Sequence, residues 1–197
     1  MRLATVLAAL LLAGCVSIEA NEAPSPPSPP APRPSVALGR SLDAPIVNAQ
    51  GASIGTAHFK EGAWGVVIRL DFNARSLSPG WHGAHLHQNG DCSDFAAGFQ
   101  ASGAHVGHGM DGAQHGLLNA AGPESGDLAN IYAPDAAAFG AELYTPNVTL
   151  AAVAQDWRMP LLGAKGAALI VHASADDHAT QPLGGAGARV ACAAIKS

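Results

Sequence analysis

Two histidines separated by a single leucine, His85-Leu86-His87, begin the part of this chain whose residue types can do chemistry. In a strand, residues i and i+2 share a face. Two imidazoles about 7 Å apart at the backbone can then converge on one metal ion. Alone, such a pair is weak evidence, and a solvated strand face is the commoner reading. Here it is followed by His105, His108, His115, Glu124 and Asp127 in a glycine-rich stretch, and then by His172, Asp176 and Asp177. The chain has 9 histidines, against 10 lysines and arginines together. Imidazole suits copper and zinc, and a carboxylate is a legitimate zinc ligand. The pattern therefore predicts a metal site, with electron transfer within reach if copper is the ion.

The elements that must carry these residues read as β. Short apolar and β-branched runs recur between Gly, Pro, Asn and Asp clusters: 54–59, 64–72, 82–87, 147–153, 167–173 and 189–195. Several short strands between turn signals predict an antiparallel sandwich or barrel. A competing helical reading falls on the Ala-rich piece 133–139, which is too short to dominate. Between Asp91 and Tyr132 lies a long stretch of weak periodicity, and its ligand-type side chains suggest a loop ordered by metal. Charged residues are 13% of the chain and the formal charge is −5. That composition argues against a nucleic-acid partner, which needs a basic face.

The N-terminus reads as an address and a tether. Arg2 precedes an apolar run from Leu3 to Ala13, shorter than the roughly 20 residues a spanning helix needs and of the length of a secretory signal core. It ends in Leu12-Ala13-Gly14-Cys15, which resembles the bacterial lipoprotein cleavage box; the bland reading is an ordinary signal with a chance cysteine. From Pro24 to Pro34, 7 of 11 residues are proline, a composition that favours an extended spacer over a packed core. The expected organisation is a lipoprotein signal peptide over 1–14, a lipidated N-terminus (Cys15) and Pro-rich tether over 15–35, and one domain over 36–197.

Three segments in order carry a family resemblance. Gly80-Trp81-His82-Gly83-Ala84-His85-Leu86-His87 resembles the Gly-x-His-Gly-x-His-x-His signature of the copper–zinc superoxide dismutases, and Gly90-Asp91-Cys92-Ser93 resembles its bacterial branch. Val171-His172-Ala173 with Ala175-Asp176-Asp177, and Gly187-Ala188-Arg189-Val190-Ala191-Cys192, match the later segments; the resemblance spans about residues 53 to 195. It implies a Greek-key β-barrel or sandwich of about eight antiparallel strands with long active-site loops. It implies dismutation of superoxide to dioxygen and hydrogen peroxide. Copper would be held by His85, His87, His105 and His172, with His105 bridging to zinc. His115 and Asp127 would be further zinc ligands, and Asp176 would link His115 to His85. Cys92 and Cys192 would form a disulfide, and Arg189 would guide the anion beside copper. His82 would be a structural histidine.

The resemblance fails at one position. The family pattern places a third zinc histidine nine residues after His115, and this chain has Glu124 there. Glu124 as ligand, His108 in its stead, and a weak or missing zinc site are the three readings. The altered site also keeps open a non-enzymatic copper-binding module on the same fold; a hydrolytic zinc enzyme using the His-x-His pair is a third class. Arg189 favours the enzyme, because a binding module has no use for an anion guide. His58 reads as a strand-face residue, His178 as exposed, and Trp64, Trp81 and Trp157 as packing residues. Superoxide is the expected substrate and a membrane the expected partner through Cys15. Val16 after that cysteine offers no inner-membrane retention aspartate, so the expected location is the periplasm-facing side of the outer membrane in a two-membrane bacterium. A homodimer is left open.

Overall fold

The computed structural model describes residues 39–197; the expected signal segment, Cys15 and the expected Pro-rich tether lie outside the described residues. Eleven strands occur in the order β1 (Ser41–Asn48), β2 (Ser53–Gly62), β3 (Gly65–Phe72), β4 (Gly80–His82), β5 (Ala84–His87), β6 (Ile131–Ala133), β7 (Phe139–Thr145), β8 (Val148–Thr149), β9 (Met159–Pro160), β10 (Ala167–His172) and β11 (Arg189–Ile195). Seven form a curled antiparallel sheet in the order β5-β10-β11-β1-β2-β3-β7. Two small pairs, β4-β6 and β8-β9, complete the architecture, and β8-β9 is parallel rather than antiparallel.

The period of two decides what faces the core. In β3, Val66, Ile68, Leu70 and Phe72 are buried, while Val67 and Arg69 face outward. They join Phe59, Ile46, Leu86, Leu169 and Val171 in one apolar cluster. β10 is buried along its whole length, because both its faces are covered. Leu169 and Val171 face the core, whereas Ala168 and Ile170 pack against Phe99 and Cys192 under the long loop. One buried ion pair braces the far end. The Glu61 carboxylate accepts hydrogen bonds from Leu150 N (2.9 Å) and the Thr149 hydroxyl, and lies 3.5 Å from the Arg158 guanidinium.

Some sequence expectations differ from the fold. The 147–153 run keeps only two strand residues, because Leu150 N–H bonds to Glu61 rather than to a neighbouring strand. The 133–139 piece is not helical: Ala133 ends β6, the chain bends, and Phe139 starts β7. Strands β1, β6, β7 and β9 lie outside the runs read from the sequence. The tryptophans are not core residues. Trp64, Trp81 and Trp157 are each more than half exposed; Trp81 points outward from β4 and meets Tyr132 of β6 edge-on, with ring centroids 5.2 Å apart.

Candidate metal centre

The site grows out of the pairing of β5 with β10. Leu86 lies opposite Leu169 and Ala84 opposite Val171, all four in the core. The alternate residues, His85 and His87, therefore project from the other face, opposite Ile170 and Ala168. His172 continues that face past a bulge between Val171 and His172, and its partner across the ladder is Arg189. The sheet alone thus gathers three histidines and one arginine on one surface.

The long loop folds back over that surface through tight turns. His108 N donates to His105 O (3.1 Å) and Asp127 N to Glu124 O (3.1 Å), making two four-residue turns. Gly126 N donates to Val106 O (2.9 Å), and Val106 N to Leu86 O (2.8 Å), so the turns are clamped to each other and to β5. Gly107 has φ +80°, and a Cβ there would lie 2.9 Å from the Ser125 hydroxyl oxygen; only glycine lets the turns approach this closely. The Cys92–Cys192 disulfide, with 5.8 Å between Cα atoms, ties the start of the loop to β11.

Four of the buried histidines, His85, His87, His105 and His172, have one nitrogen committed and one left without a partner. His87 Nδ1 donates to Gly103 O (2.8 Å), His172 Nδ1 to Gly187 O (3.0 Å), and His85 Nε2 to the Asp176 carboxylate (2.8 Å). A carbonyl only accepts, so these bonds fix the tautomer and leave the opposite nitrogen a lone pair. Those opposite nitrogens, His85 Nδ1, His87 Nε2, His172 Nε2 and also His105 Nε2, are buried without any partner. Four buried nitrogens without partners sharing one cage would be costly unless an ion fills it, and the ligand atoms of these residues lie within 4.8 Å of one another. Burial holds His85, His87 and His172 below the ordinary histidine value, His172 at about 3. They present lone pairs, not protons, near neutrality.

The second cage adjoins the first across the His105 ring. Asp127 Oδ1 lies 3.0 Å from His105 Nδ1 and 2.9 Å from His115 Nδ1, and Glu124 Oε2 lies 2.8 Å from His105 Nδ1. One ring nitrogen cannot give a good hydrogen bond to two oxygens at once, and Glu124 Oε2 has no hydrogen-bond partner. Ligands of a tetrahedral zinc ion with bonds of about 2.0–2.1 Å stand about 3.3 Å apart, so these spacings are those of a slightly contracted ligand shell. The four residues whose ligand atoms all lie within 4.8 Å of one another are His85, His105, His115 and Asp127. His85 has only Nδ1 to give and belongs with the first cage; Glu124 stands at the side of the second, touching it through His105. His108 lies on the far side of Glu124, its Nδ1 against Oε1.

Asp176 joins the cages. It accepts from His85 Nε2 (2.8 Å) and His115 Nε2 (3.1 Å), and from the His178 backbone N–H. Asn130 holds its backbone in place on both sides. Gly184 must be glycine, since with φ +57° its Cβ would overlap Asp176 Oδ1. Burial pulls His115 down, but its bonds to Asp127 and Asp176 outweigh that and raise it to about 10. His105 is raised by the same balance, burial opposed by Asp127 and Glu124. Asp127 and Asp176 are held well below the carboxylate range, burial being outweighed by their histidine partners. Arg189 donates to Phe99 O (2.9 Å), the Ser102 hydroxyl (2.9 Å) and Gly103 O (2.9 Å). Its charge reaches His87 and His172, helping to hold both unprotonated.

A family model for copper/zinc superoxide dismutase matches residues 53–195. The chain belongs to the copper/zinc superoxide dismutase family. Curated relatives include the Cu-Zn superoxide dismutase of Caulobacter vibrioides, 44% identical over 156 residues covering 79% of this chain and 86% of that protein. Another, Cu-Zn superoxide dismutase 2 of Aquifex aeolicus, is 36% identical and covers 78% of this chain and 85% of that protein. Among solved structures, a SOD-like protein from Bacillus subtilis matches with a TM-score of 0.68 at 28% identity, covering 78% of this chain and 97% of that one. The Cu/Zn superoxide dismutase from Brucella abortus matches with a TM-score of 0.60 at 26% identity, covering 79% and 99%.

The fold thus brings together His85, His87, His105, His172, His115, Glu124, Asp127, Asp176 and Arg189, and bonds Cys92 to Cys192. His82 is structural: its ring nitrogens lie 2.7 Å from His172 O and 2.8 Å from Ser78 O. His58 sits on β2 between Asp43 (2.8 Å) and Asp71 (3.4 Å). His178 is not exposed as expected: its side chain is 18% accessible and packs by Asp176 and Asn130. Sequence reading missed Asn130 and the carbonyls of Phe99, Gly103 and Gly187. Backbone acceptors carry no side-chain signature, and Asn130 had no motif around it.

Proposed function

We propose that this chain dismutes superoxide to dioxygen and hydrogen peroxide in the cell envelope. Copper would be held by His85 Nδ1, His87 Nε2, His105 Nε2 and His172 Nε2. Zinc would be held by His105 Nδ1, His115 Nδ1, Asp127 Oδ1 and Glu124 Oε2. Copper, when bound, supplies a one-electron couple able both to accept an electron from superoxide and to return one; zinc supplies charge and rigidity without redox change.

The protein's own part is positional and electrostatic. The His87 and His172 rings are pinned by carbonyls, and His85 by Asp176, so their lone pairs are pre-aimed. His105 has a ring nitrogen in each cage, and its Nε2, without a protein partner, would hold a proton only when it is not engaged with copper. Arg189 offers a permanent charge to a small anion in a chain whose net charge of −5 would repel it. The observation that carries the reading is the set of four inward, unpartnered nitrogens beside an arginine fixed by three hydrogen bonds. Metal content of the purified protein, measured with the superoxide decay rate, tests it. We expect copper and zinc bound and decay accelerated; copper bound without acceleration would leave only a copper-holding module.

The same reading includes export and lipid attachment at Cys15, supported by the apolar run and the cleavage box before it. The outer membrane is the proposed location. Replacing Cys15 with Ala should move the protein from the membrane fraction to the soluble periplasm. Sedimentation of the purified protein decides between a monomer and a homodimer.

A further inference from the structure

Glu124 differs from the imidazole it replaces in having two oxygens and a negative charge. An imidazole bound through Nδ1 presents one ligand atom in one direction. A free carboxylate can bind through either oxygen or both and can rotate between those modes. In this chain the two oxygens are already divided. Oε2 is buried, without a hydrogen-bond partner, 2.8 Å from His105 Nδ1. Oε1 is turned away and held by His108 Nδ1. The division follows from the backbone. The 105–108 turn puts His105 on the inside and His108 on the outside, and the 124–127 turn faces it across the Gly107–Ser125 contact. Glu124 lies between the two histidines of one turn.

We propose that His108 is a positioning residue that makes Glu124 a one-oxygen zinc ligand, so that the glutamate and His108 together replace the single missing histidine. The proposal rests on the reading of Glu124 as a zinc ligand. His108 locks Oε1, leaves Oε2 alone to face the metal, and sets a donor against the extra carboxylate charge. Its side chain is 57% exposed whereas that of Glu124 is 1% exposed, so truncating His108 removes no packed core. A supporting group of this kind is typically worth about 10–100-fold in metal affinity.

The test is zinc affinity of the full-length protein by chelator competition, with the visible spectrum of cobalt(II) in the zinc site as a second readout. The variants are Glu124→Gln, His108→Ala, His108→Asn, and Glu124→His with and without His108→Ala. Copper stoichiometry and thermal melting serve as folding controls. His108→Ala should weaken zinc by about 10–100-fold and shift the cobalt spectrum. His108→Asn, which keeps a donor but is a poor ligand, should restore much of the loss. In the Glu124→His background, His108→Ala should cost nothing, because an imidazole needs no partner to choose its ligand atom. If His108→Ala leaves zinc affinity and the cobalt spectrum unchanged while Glu124→Gln loses zinc, the positioning role is refuted and the ligand reading stands. Unchanged zinc affinity in Glu124→Gln would overturn the ligand reading itself. A loss in His108→Ala that Asn does not repair, and that persists with His at position 124, would make His108 a ligand and overturn the proposal.

Discussion

Stripping both metals and restoring them one at a time across a range of pH should separate the two cages by their protons. In the metal-free protein His115 has a carboxylate at each ring nitrogen, at 2.9 and 3.1 Å, and is raised to about 10. His105 is also raised, between Asp127 and Glu124. Asp127 and Glu124 are lowered, burial being outweighed by the histidines beside them, so they bring no protons. Zinc must therefore displace up to two protons. His115 alone, three units above neutrality, withholds about 4 kcal/mol from zinc at pH 7. Its apparent affinity should rise about tenfold per pH unit from His115, and up to about 100-fold per unit where His105 also releases its proton. The first cage behaves oppositely, because burial keeps His85, His87 and His172 unprotonated. Copper should displace at most the one proton on His105. The sign for the metal-free fold follows. A histidine raised by its partners stabilises the fold fully below its unfolded value and loses that contribution as pH rises through about 10. Raising pH thus loosens the empty zinc loop while strengthening its hold on zinc. Calorimetry of each metal in two buffers of different ionisation enthalpy counts the protons directly. A zinc affinity flat between about pH 6 and 8, or copper releasing as many protons as zinc, would refute this account of the two cages.

Three more outcomes are expected. Asp176→Asn leaves at most one oxygen to accept from His85 and His115, so zinc affinity should fall about 10–100-fold in chelator competition, with a smaller change for copper. Arg189→Ala should slow superoxide decay and flatten its dependence on ionic strength, since steering of a charged substrate is screened by salt; an unchanged rate at both low and high salt would remove the guiding role. Glu61→Gln strands the buried Arg158 charge and weakens the acceptor for Leu150 N and Thr149, so denaturant unfolding should show a loss of about 3–5 kcal/mol.

The fold and site were legible to different depths for physical reasons. β3 and β10 announce themselves because their apolar residues are long enough in run or alternation to show a period. β6 and β8, with three and two residues, carry no period, and their places come from tertiary pairing and from Glu61. The His85–His87 pair could be read because a strand's geometry is fixed. The loop residues His105, His115 and Asp127 could not be placed by any period and were reached through the family resemblance. Carboxylates aim His105 and His115, whereas His87 and His172 are aimed by backbone carbonyls set by loop shape, and no residue type predicts those. Trp81 reads as packing, and it does pack, but the pleat that buries His82 turns it outward, so its contact is the edge of Tyr132 rather than the core.

One carbonyl explains why loop and sheet work as a unit. Gly103 O accepts from both His87 Nδ1 and Arg189, each at 2.8–2.9 Å. The ring on β5 and the guanidinium on β11 are thereby set against the same backbone atom. That atom is held near the sheet by Phe99 packed on Ile170 and by the Cys92–Cys192 bond. A disulfide closing a loop of roughly 100 residues is worth about 4–5 kcal/mol in the chain-entropy picture, and here that restraint is applied to the segment that aims both a metal-facing nitrogen and the anion's positive charge. Reducing or removing the disulfide should therefore lower activity before it empties the copper cage: two of the three Arg189 acceptors, Phe99 O and Gly103 O, belong to the backbone of the tethered loop, while His85 and His172 are set by β5 and β10. Copper retained by Cys92→Ser at a reduced and less salt-sensitive rate is the expected result, and copper lost in step with activity would show that the loop holds the ion rather than the guide.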